Sequence, residues 1–286
     1  MQRQFFYGAA ALAAALTCGV LVSARQPAHA QGLRSAFGLT GKNFEAPIVF
    51  QGAGPNISSI QGLVDQFRLA IGGINNANNA NDNGQITTGR REINWDGGGN
   101  NPNTALGGTP FTVFLATRGA NIVTPGSGFV QATPAGLAAT FNNSSYSTIF
   151  STFSPLRLFS PIGSNVTEVQ FFIPGAGTVP AVTNAFGAVF TDVDQPDGSG
   201  PGNKRGNRGA STLVQFFGRN GELLYSSFVP ASPGDGSLTF FAVLFSDARI
   251  ARVRMLTGDE EPGADDDVAD IVVFDDFIYG EPRRIN

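Results

Sequence analysis

Two kinds of apolar pattern divide this chain. Near its start Ile60, Leu63, Phe67 and Ile71 recur at spacings of three, four and four, which places them on one helical face. Ser58 or Ser59 can cap such a helix and Gly72-Gly73 can end it, so the spacing predicts a helix over 58–71. An Asn-rich stretch, 74–86, then reads as loop. From Thr87 onward the apolar residues come in short runs, several alternating with polar residues, broken by Gly, Pro, Asn and Asp. These runs predict strands over 91–95, 111–117, 166–173, 186–194, 212–217, 223–228, 238–245, 250–256 and 271–279. Asn220-Gly221 between two of them is a strong hairpin signal. The run 238–245 is apolar on both faces and reads as a central strand.

Many short strands with Gly/Pro-rich turns predict a mostly β fold. The expected architecture is a two-sheet antiparallel β-sandwich, jelly-roll-like, with one short N-terminal helix. Its parse is a β-sandwich domain over 85–284, preceded by a leader over 31–84 that carries the helix.

Residues 1–30 read as a signal peptide. Arg3 precedes an apolar run from Phe5 to Val22, and Ala28-His29-Ala30 forms a small-x-small cleavage site. A membrane anchor is the rival reading of that run, but the cleavage site favours removal. A lipoprotein reading would use Cys18, where the preceding Thr17 fits poorly. The expected location is secreted or periplasmic, with no membrane contact after cleavage and the oligomeric state left open.

Cleavage at that point changes the chemistry available. Cys18 and His29 are the single Cys and the single His, and both depart. Disulfides, Cys/His zinc sites, Cys nucleophiles and a Ser-His-Asp triad are thereby excluded. Loss of Arg3 and Arg25 leaves 16 basic residues against 22 acidic ones, a net charge of −6. That balance, and the lack of any long basic run, argue against a nucleic-acid partner. Charged residues are only 14% of the chain, whereas Gly numbers 37 and Phe 25, in keeping with turns and apolar strands.

Four clusters carry candidate chemistry. Asp192, Asp194 and Asp197 lie in a Gly-containing turn and could offer oxygen ligands to calcium, although the spacing is not that of an EF-hand. The alternative is a solvated acidic turn. Asp275-Asp276 interrupts an apolar strand. Strict alternation would put Asp276 with Val272, Phe274 and Ile278, and Asp275 with Val273, Phe277 and Tyr279. A carboxylate buried there protonates or needs a partner: Arg252 or Arg254, a backbone hydrogen bond, or a calcium ion that would add Asp276 to the metal-ligand candidates. The acidic segment from Asp259 to Asp270 reads as a solvated loop, with a loose calcium site as the lesser reading. Finally, Arg91, Asn94, Trp95 and Asp96 combine a flat aromatic ring with hydrogen-bonding groups, the ingredients of a glycan site. A core Trp is the competing reading. With no His, catalysis would fall to carboxylates, with Glu92 and Asp96 as the nearest pair in sequence.

The segments Gly89–Gly97, Phe186–Asp194, Ile250–Arg254 and Asp275–Pro282 resemble an uncharacterised family of exported bacterial β-sandwich proteins, some with a C-terminal sorting anchor. This chain departs from the anchored relatives by ending at Asn286 without an anchor. The ending Val272–Phe277 is also similar to the last strand of carbohydrate-binding jelly rolls, a resemblance that implies a structural calcium held in part by an Asp. The combined expectation is a secreted, non-catalytic module that binds polysaccharide or cell-envelope glycan, with calcium as its candidate cofactor. The rivals are a structural or matrix protein without a small ligand, and a carboxylate-based glycoside hydrolase.

Overall fold

The computed structural model describes residues 46–285, apart from 81, 85, 98, 100, 195–211 and 264–268. The first elements in chain order are β1 (Ile48–Gly54), α1 (Ile57–Ile71), β2 (Arg90–Ile93), β3 (Ala105–Gly107), α2 (Leu115–Arg118), β4 (Ala120–Val123) and β5 (Gly128–Ala132). Next come α3 (Pro134–Phe141), α4 (Tyr146–Ile149), β6 (Leu158–Ile162), β7 (Val166–Phe171), β8 (Ala181–Val182) and β9 (Ala185–Thr191). The chain then runs through β10 (Leu213–Phe217), β11 (Leu223–Phe228), β12 (Leu238–Leu244), β13 (Arg252–Leu256), β14 (Val273–Gly280) and β15 (Arg283–Arg284). Among the described residues no helix is long and apolar enough to cross a membrane.

The strands form an antiparallel two-sheet sandwich. The larger sheet runs β1-β12-β9-β14-β6-β5-β3, with β2 also pairing β14. The smaller runs β11-β10-β13-β7-β4, and β8 with β15 makes a separate ribbon. From β7 to β14 the chain passes repeatedly between the two sheets, the crossing pattern of a jelly-roll-like sandwich.

The larger sheet is covered on both faces, which explains why its central strands read as unbroken apolar runs. Phe190, Phe241, Phe274 and Phe277 fill the space between the sheets. On the outer face α1 lays Ile60, Val64, Phe67 and Ile71 against Val189, Leu238, Phe240 and Ile278. Beside it, α3 and α4 bring Leu137, Phe141 and Tyr146 onto Val130, Leu158 and Val273. Gly187 in β9 permits the approach of α1. A Cβ there would stand 2.5 Å from the Ala242 side chain and 3.1 Å from the Phe67 ring.

Several elements differ from the sequence pattern. The predicted strand over 111–117 is reduced to a bridge between Phe111 and Ile122, and Leu115–Arg118 is instead one helical turn ended by Gly119 at φ +66. Strand β1, ahead of the helix, hydrogen-bonds to β12 along its whole length. In α1 it is Val64, rather than Leu63, that is fully buried. The largest difference lies in β14. Phe274 pairs with Phe190 and Phe277 with Ala188, so three steps on β14 oppose two on β9. That is a β-bulge at Asp275-Asp276. It returns Phe277 and Tyr279 to the same inner face as Phe274, and so overturns the strict alternation expected for this strand.

Candidate functional site

The bulge also creates a gap in the sheet. Strand β9 flanks one side of β14. On the other side β2 pairs with Phe277–Gly280 and β6 pairs with Phe274, so neither covers Asp275 and Asp276. The loop over 150–157 folds against the opening. Phe153 N and Ser154 Oγ donate to the Asp275 carboxyl at 2.6 and 2.8 Å. Asp276 faces a cavity of about 340 Å³ lined by Arg68, Asn78, Glu92, Asn94, Arg118 and Phe153. Helix α1 thus contributes Arg68, strand β2 contributes Glu92, and α2 contributes Arg118.

Charge within this cavity is tightly arranged. Arg68 Nη2 lies 2.8 Å from Glu92 Oε2 and 3.4 Å from Asp276 Oδ2. Because both oxygens sit on one nitrogen, they are at most 6.2 Å apart, the sum of those two distances. Arg90 Nε donates to Glu92 Oε1 at 2.5 Å, so two guanidiniums hold that carboxylate. Arg118 Nη1 donates to the Glu92 carbonyl at 2.5 Å, and its guanidinium packs over the Phe114 ring. Asp276 Oδ1 is buried and has no hydrogen-bond partner. Burial pushes the Asp276 carboxyl up to about 6, against the pull of Arg68. Asp275 lies well above the usual carboxylate range, first through burial and then through the neighbouring Asp276 charge.

The residues expected to bind glycan are scattered by the fold. Trp95 is 1% exposed, stacked on Phe159 at 3.8 Å between ring centroids and met edge-on by Phe277 and Phe114. Its Nε1 donates to the Asp275 carbonyl at 2.7 Å. Both ring faces and the polar atom are used inside the protein, which corrects the expectation of Trp95 as a stacking platform. Asp96 is also buried, accepts from Arg157 N at 3.0 Å, and has a pKa raised by burial. Arg91 is wholly buried and grips Glu281 bidentately at 2.7 and 2.9 Å. Asn94 remains exposed and lines the cavity. Half-buried Phe153, which packs against the core cluster under α1, also lines the cavity.

The metal candidates do not form one set. Asp192 and Asp194 follow the end of β9, where Asp194 N donates to Asp270 Oδ1 at 3.3 Å and Gly234 N donates to Asp194 Oδ1 at 2.8 Å. Asp276 stands apart from them at the bulge, and Asp197 lies outside the described residues. Among the described residues no group of three or more His, Cys, Asp or Glu side chains is placed to hold a metal ion. Asp192 is buried, and its carboxyl is pushed up to about 8 by burial, then by Asp194, Asp270 and Asp235. Arg252 and Arg254, expected to pair with the strand aspartates, reach Glu168 on the smaller sheet at 2.5 and 3.7 Å. The cation beside Asp276 is Arg68, 208 residues away, and no local sequence signal marks that pairing. Asp96 does not accompany Glu92; the carboxylate beside Glu92 is Asp276.

No protein-family model and no curated protein matches the chain. Among solved structures, a mutant of the lectin binding domain of Lectinolysin complexed with Lewis b matches at 8% identity and a TM-score of 0.23. The match spans 66% of this chain and 96% of that one, and at that score it carries no argument about fold or ligand.

Proposed function

We propose that this is an exported, non-catalytic β-sandwich that binds glycan or a cell-surface polymer through the cavity at the β14 bulge. The observation that carries the reading is the cavity at the bulge, lined by the Asp276 carboxyl with its Oδ2 beside Arg68 Nη2. Around it stand the Arg68 and Arg118 donors, the Glu92 acceptor, and two Asn side chains that both donate and accept. Sugar hydroxyls also donate and accept, so this mixture suits a polyhydroxylated ligand, with Phe153 as its apolar wall.

The test is a glycan array followed by calorimetry on the hits, using Asn94→Ala and Phe153→Ala. Each variant should weaken binding about tenfold, the loss of one well-made contact. No hit on the array, or unchanged affinity in both variants, would remove the reading.

A second reading, carboxylate-based glycoside hydrolysis, draws on the spacing of Glu92 and Asp276. Their oxygens are at most 6.2 Å apart, which accommodates the roughly 5–5.5 Å of retaining carboxylate pairs. It requires release of reducing ends from a bound glycan, abolished in both Glu92→Gln and Asp276→Asn. Binding without release leaves the first reading in place.

A further inference from the structure

We infer that a second pocket, at one end of the sandwich and separate from the bulge cavity, binds an oxyanion group. Its volume is about 390 Å³, and four arginines line it: Arg219, Arg249, Arg283 and Arg284. They arrive from three places in the chain. Arg219 sits in the turn between β10 and β11, Arg249 in the connection from β12 to β13, and Arg283 and Arg284 form β15. Val182 and Ile285 supply an apolar edge.

The concentration of positive charge here runs against the rest of the molecule. The chain has a net charge of −4, yet four guanidiniums meet at one pocket whose lining holds a single carboxylate, Glu222. Asp247 pairs with Arg249 from one side. Arginines elsewhere in the described residues have partners outside this pocket. Arg68, Arg90 and Arg91 bind carboxylates, Arg252 and Arg254 share Glu168, and Arg118 and Arg157 donate to backbone carbonyls. Arg283 Nη2 donates to the Thr87 carbonyl, and the Arg284 side chain has no hydrogen-bond or ion-pair partner among the described residues. Arg249 lies over the Phe245 ring at 5.3 Å, which orients its planar group before any ligand arrives.

Guanidinium forks match carboxylate, sulfate and phosphate oxygens in a bidentate way that a point charge does not. The volume lies within the roughly 300–1,000 Å³ of small-molecule sites. The ligand is therefore a compact group with two or more anionic oxygens, either a free inorganic ion or the acidic substituent of a saccharide.

Calorimetry at low ionic strength tests this, with inorganic phosphate, inorganic sulfate, galacturonate and polygalacturonate as separate probes. At least one probe should bind saturably, with affinity falling as salt rises. Arg283→Ala/Arg284→Ala should weaken that binding about tenfold or more, and Arg284→Lys should recover only part of it. Arg254→Ala removes one charge on the smaller sheet, outside the lining of either pocket, and should leave the affinity unchanged. All these side chains are surface groups, and matching melting curves would establish that the variants fold. Binding of the inorganic ions identifies a free anion as ligand, whereas binding of the uronates alone identifies an acidic saccharide; both support the inference. Failure of every probe to bind, or an equal loss in Arg283→Ala/Arg284→Ala and Arg254→Ala, overturns it.

Discussion

Asp192 is a residue whose charge the fold opposes. Its carboxyl is buried, Oδ1 has no hydrogen-bond partner, and other carboxylates surround it. Unfolded, it titrates near the ordinary 3.8; folded, near 8. Between those values the folded state holds the extra proton, so folding takes up a proton and stability falls as pH rises. The contribution is complete below about pH 4 and lost as pH passes through 8. Asp275 and Asp276, both raised, act in the same direction. The melting temperature should therefore be higher at pH 5 than at pH 8, and Asp192→Asn should flatten that difference. Asn suits the position because it tolerates the left-handed backbone found there, φ +69. A calcium-dependent rise in melting temperature at pH 8, absent from Asp192→Asn, would mean that a cation takes the place of the proton. Trp95 is the complementary case. The sequence makes it visible as the only Trp, yet the fold uses it wholly inside the core. Trp95→Ala should cost about 3–5 kcal/mol in urea unfolding, with the loss read in stability and not in a ligand contact of its own.

At the scale of elements, the pattern located those whose signal is local. The helix predicted over 58–71 is α1, and the Asn220-Gly221 hairpin joins β10 to β11. Strands β1, β3, β4, β5 and β6 went unread; β3 and β4 are three and four residues long and lie at sheet edges. The β14 bulge went unread for another reason. One extra residue changes no composition, and only the partner strand β9 reveals the mismatch of register. Long-range pairing also governs Arg91 and Glu281. Their buried, bidentate contact ties β2 to the residue just after β14, and Asn79 Nδ2 adds a bond to the same carboxylate at 2.6 Å. Arg91→Ala or Glu281→Ala alone should cost about 3–5 kcal/mol, because each leaves a buried charge unpaired. The double variant Arg91→Met/Glu281→Leu should cost clearly less than the sum of the single changes. Denaturant midpoints of the three proteins measure this coupling.

In the whole molecule, one sheet with both faces covered joins every layer. Helix α1 packs on β9, β12 and β14, which also carry the core between the sheets. The helix should therefore open together with that sheet. Hydrogen exchange should give the central amides of α1 and β12 the same opening free energy, equal to the global value, and the single turn α2 a much lower one. Protection lower in α1 than in β12 would show that the helix is a separable layer. The sequence alone determined the class of fold, because helical and alternating periodicities and turn residues act over a few neighbours. By the same route it established that residues 31–286 contain neither His nor Cys for catalysis or metal binding. The tertiary structure decided which polar residues meet. Asp276 joins Glu92 and Arg68, the four pocket arginines gather from distant segments, and Trp95 turns inward. Those outcomes depend on register, a bulge and sheet order, which arise from contacts between residues far apart in the chain and leave no periodic mark along it.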